Sequence, residues 1–195
     1  PFTSDKTRQG AAGVSTGFDI PYSCRFNDGD TAHLKRTMAT PTSNQKFSFS
    51  FWFKRGSPAA VQQQIMGIGA SGSDYGEISI TTGEYIQMFE YYAGYNLLYK
   101  DNYLLFRDPS AWMHSLIAVD TTQSVAAERV RVYYNGVEHT TWVGSSDPTL
   151  NFALRHFNSA SEWTIGAQFD ESSNPYDGYL AEMHWIDGTQ LTPAS

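Results

Sequence analysis

The chain has 195 residues, with 13 Lys plus Arg against 20 Asp plus Glu and a formal net charge of −7. That is one domain of ordinary size, able to bury a core without metal or disulfide support; its acidic balance argues against duplex nucleic acid as the main partner, because no cationic surface is available to displace counterions. Aromatic residues make up 15% and charged residues only 17%, Ser and Thr are abundant, no stretch nears the ~20 apolar residues of a membrane span, and the single Cys24 excludes an intrachain disulfide framework or a Cys-based zinc site.

Residues 1–20 are polar, with Gly10, Gly13 and Gly17 among small residues, and read as an extended lead-in to a domain over 21–195. Pro1 to Lys6 carries no charged-then-apolar signal pattern, so nothing in the chain itself is expected to direct it into a secretion pathway. A short strand is expected over Ser23 to Asn27, where Cys24 reads as a small core residue. A turn follows at Asn27-Asp28-Gly29-Asp30, and a returning strand at Ala32 to Arg36. Phe47-Ser48-Phe49-Ser50-Phe51-Trp52-Phe53 is the clearest signal: Phe recurs every second residue, so four Phe share one face of a central strand.

Further strands are expected at Ile65 to Gly69, Glu77 to Thr81, Tyr85 to Tyr91, Leu97 to Lys100, Tyr103 to Arg107 and Trp112 to Val119. Arg129 to Tyr134 alternates again, and Asn135-Gly136 is a hairpin signal that predicts Val137 to Trp142 as the returning strand. Trp163 to Gln168 and Tyr179 to Ile186 complete the set. No window sustains a 3.6-residue apolar repeat, so almost no helix is expected beyond one turn near Thr192. About twelve short strands separated by turns predict an all-β, two-sheet antiparallel sandwich or jelly roll.

Three segments together carry a resemblance. Phe49-Ser50-Phe51-Trp52-Phe53-Lys54 comes first. Trp112-Met113-His114-Ser115-Leu116-Ile117-Ala118-Val119-Asp120 is followed by Val130 to Val137. Asp177-Gly178-Tyr179-Leu180-Ala181-Glu182-Met183-His184-Trp185-Ile186-Asp187-Gly188 closes the series. In this order they resemble a laminin-G-like, concanavalin A-like jelly roll over roughly residues 22–190. Gly10 to Gly13, Ser15 to Ile20, Arg25 to Asp30 and Phe106 to Trp112 resemble bacteriophage proteins of this class, typically tail-fibre or appendage proteins. That resemblance implies a virion-surface location, extracellular after host lysis, in which case no signal peptide is required.

Function varies widely on this superfold. A family-16 glucanase pattern needs two Glu flanking an Asp on one strand face, and no Glu-x-Asp-x-Glu or Glu-x-Asp-x-x-Glu is present. Glu84 and Glu90 share parity but lie about 20 Å apart along a strand. Gln64-Ile65-Met66 and Tyr91 to Asn96 are similar to fragments of the alginate-lyase branch, but Met66 stands where the required His base belongs. The five His, at 33, 114, 139, 156 and 184, show no metal-ligand spacing, and His114 and His184 read as structural or surface residues.

Two constellations remain. Asp170, Asn174 and Asp177 lie in one loop whose oxygens are candidates for Ca2+, with a solvated turn as the competing reading. In laminin-G-like relatives calcium binding is frequent, but their final-strand Asp position is Ala181 here. Tyr91, Tyr92, Tyr95 and Asn96 lie in a segment, 75–103, that holds seven of the 12 Tyr. Sugars bind on aromatic faces with amides and carboxylates fixing their hydroxyls, so these four are the candidate glycan-binding residues; a subunit contact or burial in the core would use the same rings. The expectation is a non-catalytic virion-surface module for glycan recognition or adhesion, a homo-oligomer whose several copies on one particle add avidity, with a host-surface glycan and other virion proteins as partners, no cofactor beyond the candidate Ca2+, no nucleic acid and no membrane insertion. The alternatives are a decoration or assembly module that binds other virion proteins, and a polysaccharide-degrading enzyme with a degenerate motif.

Overall fold

Phe at every second position of one strand requires a sheet with one apolar face, and the chain is arranged to cover that face. A computed structural model describes residues 20–57 and 61–195, with the backbone alone for residues 95–98. The expected lead-in therefore lies outside the described residues except for Ile20. The strands are β1 (Cys24–Phe26), β2 (Leu34–Thr37), β3 (Lys46–Arg55), β4 (Gln63–Ser71), β5 (Asp74–Ile80), β6 (Ile86–Tyr92), β7 (Tyr95–Asn102), β8 (Met113–Asp120), β9 (Val130–Tyr134), β10 (Val137–His139), β11 (Trp142–Ser146), β12 (Glu162–Ile165) and β13 (Gly178–Asp187). Among the described residues the only helix is two single 3-10 turns, Asp28–Asp30 and Ala126–Glu128.

The strands form two antiparallel sheets. One has the order β1-β13-β3-β8-β9-β10 and the other β11-β7-β6-β5-β4-β12-β2. Partners distant in sequence, such as β13 on β3 and β12 between β4 and β2, make this a jelly-roll sandwich of the concanavalin A type. Phe47, Phe49, Phe51 and Phe53 of β3 are all buried and face Ile65, Met66, Ile68, Ile78, Ile80 and Met88 of the seven-stranded sheet. The Phe rings also contact one another, with centroids 4.7 Å apart for Phe49–Phe51 and 5.8 Å for Phe51–Phe53, and Trp185 of β13 stacks on Phe47 at 4.2 Å.

The residues between the Phe point to the other side of β3. Ser48 is fully buried there: its hydroxyl donates to the Thr189 carbonyl and accepts from the Leu191 N–H, both at 2.8 Å, so the C-terminal segment is fastened across the sheet. Asn135 and Gly136 sit at φ +50° and +82°, a two-residue turn with both central residues left-handed, as Asn-Gly favours. It sets the register Tyr134↔Val137 between β9 and β10.

Several expectations are corrected. Tyr103 to Arg107 is not a strand but part of the crossing from one sheet to the other. Its backbone is satisfied locally: the Leu104 N–H donates to Asn102 Oδ1, the Phe106 N–H to the Glu84 carbonyl, and the Phe106 carbonyl accepts from Arg55 Nη1 at 2.8 Å. The expected strand 137–142 divides, because β10 leaves β9 after His139 and β11 joins β7 in the opposite sheet. Cys24 is exposed rather than in the core, since β1 is an edge strand.

Phe51→Ala empties a site at the centre of the sandwich and is expected to cost about 3–5 kcal/mol, against roughly 1 kcal/mol for Ser50→Ala, which loses only a half-buried hydrogen bond to His114. Urea unfolding of the two variants measures the contrast, and equal losses would contradict this account of the core.

Candidate functional site

Because Ile78 and Ile80 of β5 point into the core, Tyr75, Glu77 and Ser79 must point out of the sandwich. The register carries this parity across the seven-stranded sheet. Tyr75 pairs with Tyr91, Glu77 with Phe89 and Ser79 with Gln87 on β6, and Phe89 and Gln87 pair with Tyr99 and Asp101 on β7. One outer face therefore holds an aromatic group at one end and an amide-carboxylate group at the other.

The aromatic group is built from Tyr75, whose ring centroid lies 5.2 Å from Phe89, 5.7 Å from Tyr91 and 5.6 Å from Phe169. Phe169 arrives on the loop after β12, which runs directly over β4. A Cβ on Gly67 would stand 2.7 Å from the Phe169 backbone nitrogen, so this approach needs glycine.

In the polar group, Glu77 is buried. Its Oε1 accepts from Gln62 Nε2 at 2.7 Å and Ser79 Oγ at 3.1 Å, and its Oε2 from Gln64 Nε2 at 3.1 Å. Burial pushes the Glu77 carboxyl above its ordinary range, and these hydrogen bonds oppose the shift only in part. Asp101 accepts from Gln87 Nε2 at 2.8 Å and from the Tyr99 hydroxyl at 2.5 Å. Burial and then the neighbouring Asp101 push the Tyr99 phenol up to about 12. Phenol and amide groups, oriented by buried carboxyls beside half-buried rings, are the chemistry that holds sugar hydroxyls and C–H faces.

The four residues singled out from the sequence meet at the tip of the β6–β7 hairpin, in the register Tyr91↔Asn96 and Tyr92↔Tyr95. The side chains of Tyr95 and Asn96 lie outside the described residues. Tyr91 belongs to the outer aromatic group. Tyr92 has the opposite parity and is packed under Arg155, whose guanidinium carbon lies 3.9 Å from the ring centroid. Arg155 is held by Asp74 at 2.8 and 3.0 Å, and by its backbone N–H on Glu90.

The loop residues Asp170, Asn174 and Asp177 are engaged separately. Asp170 accepts from the Ser172 and Ser173 N–H groups and the Ser173 hydroxyl, Asn174 Nδ2 lies 3.5 Å from Gln168 Oε1, and Asp177 is paired with Arg25 at 2.7 Å. Among the described residues no three His, Cys, Asp or Glu side chains converge to hold a metal ion, and this donor set does not fit calcium. Sequence reasoning passed over Gln62, Glu77, Ser79, Gln87, Tyr99 and Asp101 as a group. The signal was available in the parity of Glu77 and Ser79 against Ile78 and Ile80.

Burial keeps Glu77 protonated in the folded chain at pH values where the unfolded chain has lost that proton. Its contribution to stability is therefore full below the ordinary value of 4.5 and falls as pH rises. The stability of wild type relative to Glu77→Gln is expected to fall between about pH 4 and about pH 7.5. Urea midpoints of both proteins at the two pH values measure this, and a difference that stays constant or grows with pH would contradict it.

A family model described as concanavalin A-like lectin/glucanases superfamily, of the laminin G type, matches residues 28–195. A search of curated proteins gave no significant match. Among solved structures, the heptameric SAP-like pentraxin from Limulus polyphemus superposes with a TM-score of 0.55 at 15% identity, covering 83% of this chain and 71% of that one. Domain 4 of the extracellular arabinanase AbnA from Geobacillus stearothermophilus, in complex with arabinotriose, gives 0.53 at 18% identity, covering 83% and 68%. CBM40 of the Ruminococcus gnavus IT-sialidase, bound to α2,3 sialyllactose, gives 0.54 at 12% identity, covering 84% and 95%. At these identities the structures are alike in fold alone, a lectin-like sandwich, while the family match extends over most of the sequence: the chain belongs to the concanavalin A-like lectin/glucanases superfamily.

Proposed function

We propose that this domain is a non-catalytic glycan-recognition module, acting in adhesion of a bacteriophage particle at the host cell surface. The observation that carries the glycan reading is the outer face of the seven-stranded sheet, where the half-buried rings of Tyr75 and Tyr91 adjoin the half-buried amide and phenol groups of Gln62, Gln87 and Tyr99, which the buried carboxyls of Glu77 and Asp101 hold in place. The arabinotriose and sialyllactose held by two proteins of the same fold support it. The virion location rests on the resemblance of the segments at 10–30 and 106–112 to phage appendage proteins. Several copies on one particle would raise weak single-site affinity through avidity.

The carboxylates argue against hydrolysis. Glu77 and Asp101 are two strands and two residues apart in register, which puts their Cα atoms roughly 12 Å from each other. Glycosidase carboxyl groups stand about 5–5.5 Å apart for retention and about 6.5–9.5 Å for inversion, and here each carboxyl is drawn to different partners, Glu77 to Gln62 and Gln64 and Asp101 to Gln87 and Tyr99, rather than toward the other. Each carboxyl here is also closed off by its own donors. Recognition through this face requires no calcium.

One observation favours a second reading, an assembly module that contacts other virion proteins. On the outer face of the six-stranded sheet, Arg25, Tyr179 and Lys54 form a row across β1, β13 and β3, with Trp112 beside Tyr179 at 6.3 Å. Trp112 and Tyr179 remain 37% and 36% exposed, and exposed aromatics beside cations are characteristic of protein contacts.

An array of bacterial polysaccharides, probed with calcium and again with chelator, separates these readings. Binding is expected in both conditions and is expected to weaken about fivefold in Tyr91→Ala, the loss of the ~1 kcal/mol of a ring contact. Absence of binding by a folded, oligomeric protein would overturn the glycan reading in favour of the assembly module.

A further inference from the structure

On one open side of the sandwich, a cleft of about 310 Å3 lies between β2 and β12 of one sheet and β3 and β13 of the other. Its walls are apolar: Phe49, Met66, Trp163, Met183 and Trp185, with the two Trp rings 4.3 Å apart and nearly perpendicular. An apolar cavity of about 150 Å3 is enough to take benzene, so this cleft has room for a group roughly twice that size. The Met side chains give its walls a lining that adapts in shape.

Two polar groups at the cleft are not accounted for by core packing. Trp163 is 4% exposed, and its indole N–H has no hydrogen-bond partner among the described residues, whereas a buried indole ordinarily finds one. Arg36 pairs with Trp163 in the β2–β12 ladder, and Leu34 with Ile165. Alternation therefore brings Arg36 and Leu34 from the sandwich-facing side of the edge strand. Lys35 also borders the cleft, but its ammonium is held by Glu171 at 2.8 Å and Glu162 at 3.8 Å. Arg36 lines the cleft without an ion pair among the described residues.

We infer that this cleft is a binding site for an amphipathic organic anion, an aliphatic or aromatic body between Trp163, Trp185 and Met183 with its carboxylate or sulfonate head at Arg36. Guanidinium pairs with such a head through two parallel N–H groups. The site is separate from the aromatic and amide face of the seven-stranded sheet, so it stands or falls independently of glycan recognition.

The test uses 1-anilinonaphthalene-8-sulfonate as a fluorescent probe of the whole chain at neutral pH, with near-UV circular dichroism confirming native packing. Saturable binding of one probe per chain is expected, with displacement by decanoate at a concentration at least tenfold below that needed for decylamine, whose body is the same and whose charge is opposite. Arg36→Ala is expected to weaken probe binding about tenfold and Arg36→Glu further, with unfolding midpoints and glycan binding unchanged. Lack of saturable binding, equal displacement by decylamine, or an Arg36→Glu variant that binds like wild type would overturn the inference. Arg36 would then serve only as the inward charge that guards an edge strand against pairing with another chain.

Discussion

The row of Phe47, Phe49, Phe51 and Phe53 is the constraint on which the other features depend. Its rings occupy the middle of the sandwich, and β4, β5, β6 and β12 of the opposite sheet present apolar side chains to the same core. On β5 that requirement falls on Ile78 and Ile80, which leaves Tyr75, Glu77 and Ser79 on the outside. A slip of one residue would exchange the two sets. The candidate recognition face is thus a consequence of core matching: the side chains that cannot meet the Phe row are the ones that line it.

Buried acids then shape the two ends of the molecule. Glu77 gathers the amides of Gln62 and Gln64 on the outer face. Glu90, on the inner side of β6, accepts the backbone N–H groups of Arg155, His156 and Phe157 at 3.1, 2.7 and 2.8 Å. Burial raises both carboxyls, and each is tolerated because several donors surround it. The Glu90 contacts set Phe157 in the core beside Phe47 at 5.9 Å and place Arg155 over Tyr92. The tip of the β6–β7 hairpin is therefore tied to a loop some 65 residues further along the chain.

Features governed by neighbours in sequence were legible before the structure. The period of the Phe row, the Asn135-Gly136 turn, the absence of long helices and the sandwich class all follow from patterns a few residues long. Features governed by distant partners were not. Tyr91 and Tyr92 look equivalent in sequence and face opposite sides of the sheet. Asp177 resembles a free loop carboxylate until Arg25, 152 residues away, is seen to pair with it. Leu104, Leu105 and Phe106 have the composition of a strand, yet the segment is a crossing whose polar backbone groups are satisfied by Asn102, Glu84 and Arg55. Cys24 is small enough for a core, but its place on an edge strand exposes it.

Recognition through the outer face of the seven-stranded sheet is tested most directly by amide NMR spectra of 15N-labelled protein, titrated with the oligosaccharide that binds best on the polysaccharide array. The account predicts shifts concentrated at residues 75–79, 87–91, 99–101 and 168–170. Shifts concentrated instead at residues 25, 52–54, 112–114 and 179, on the outer face of the six-stranded sheet, would contradict it.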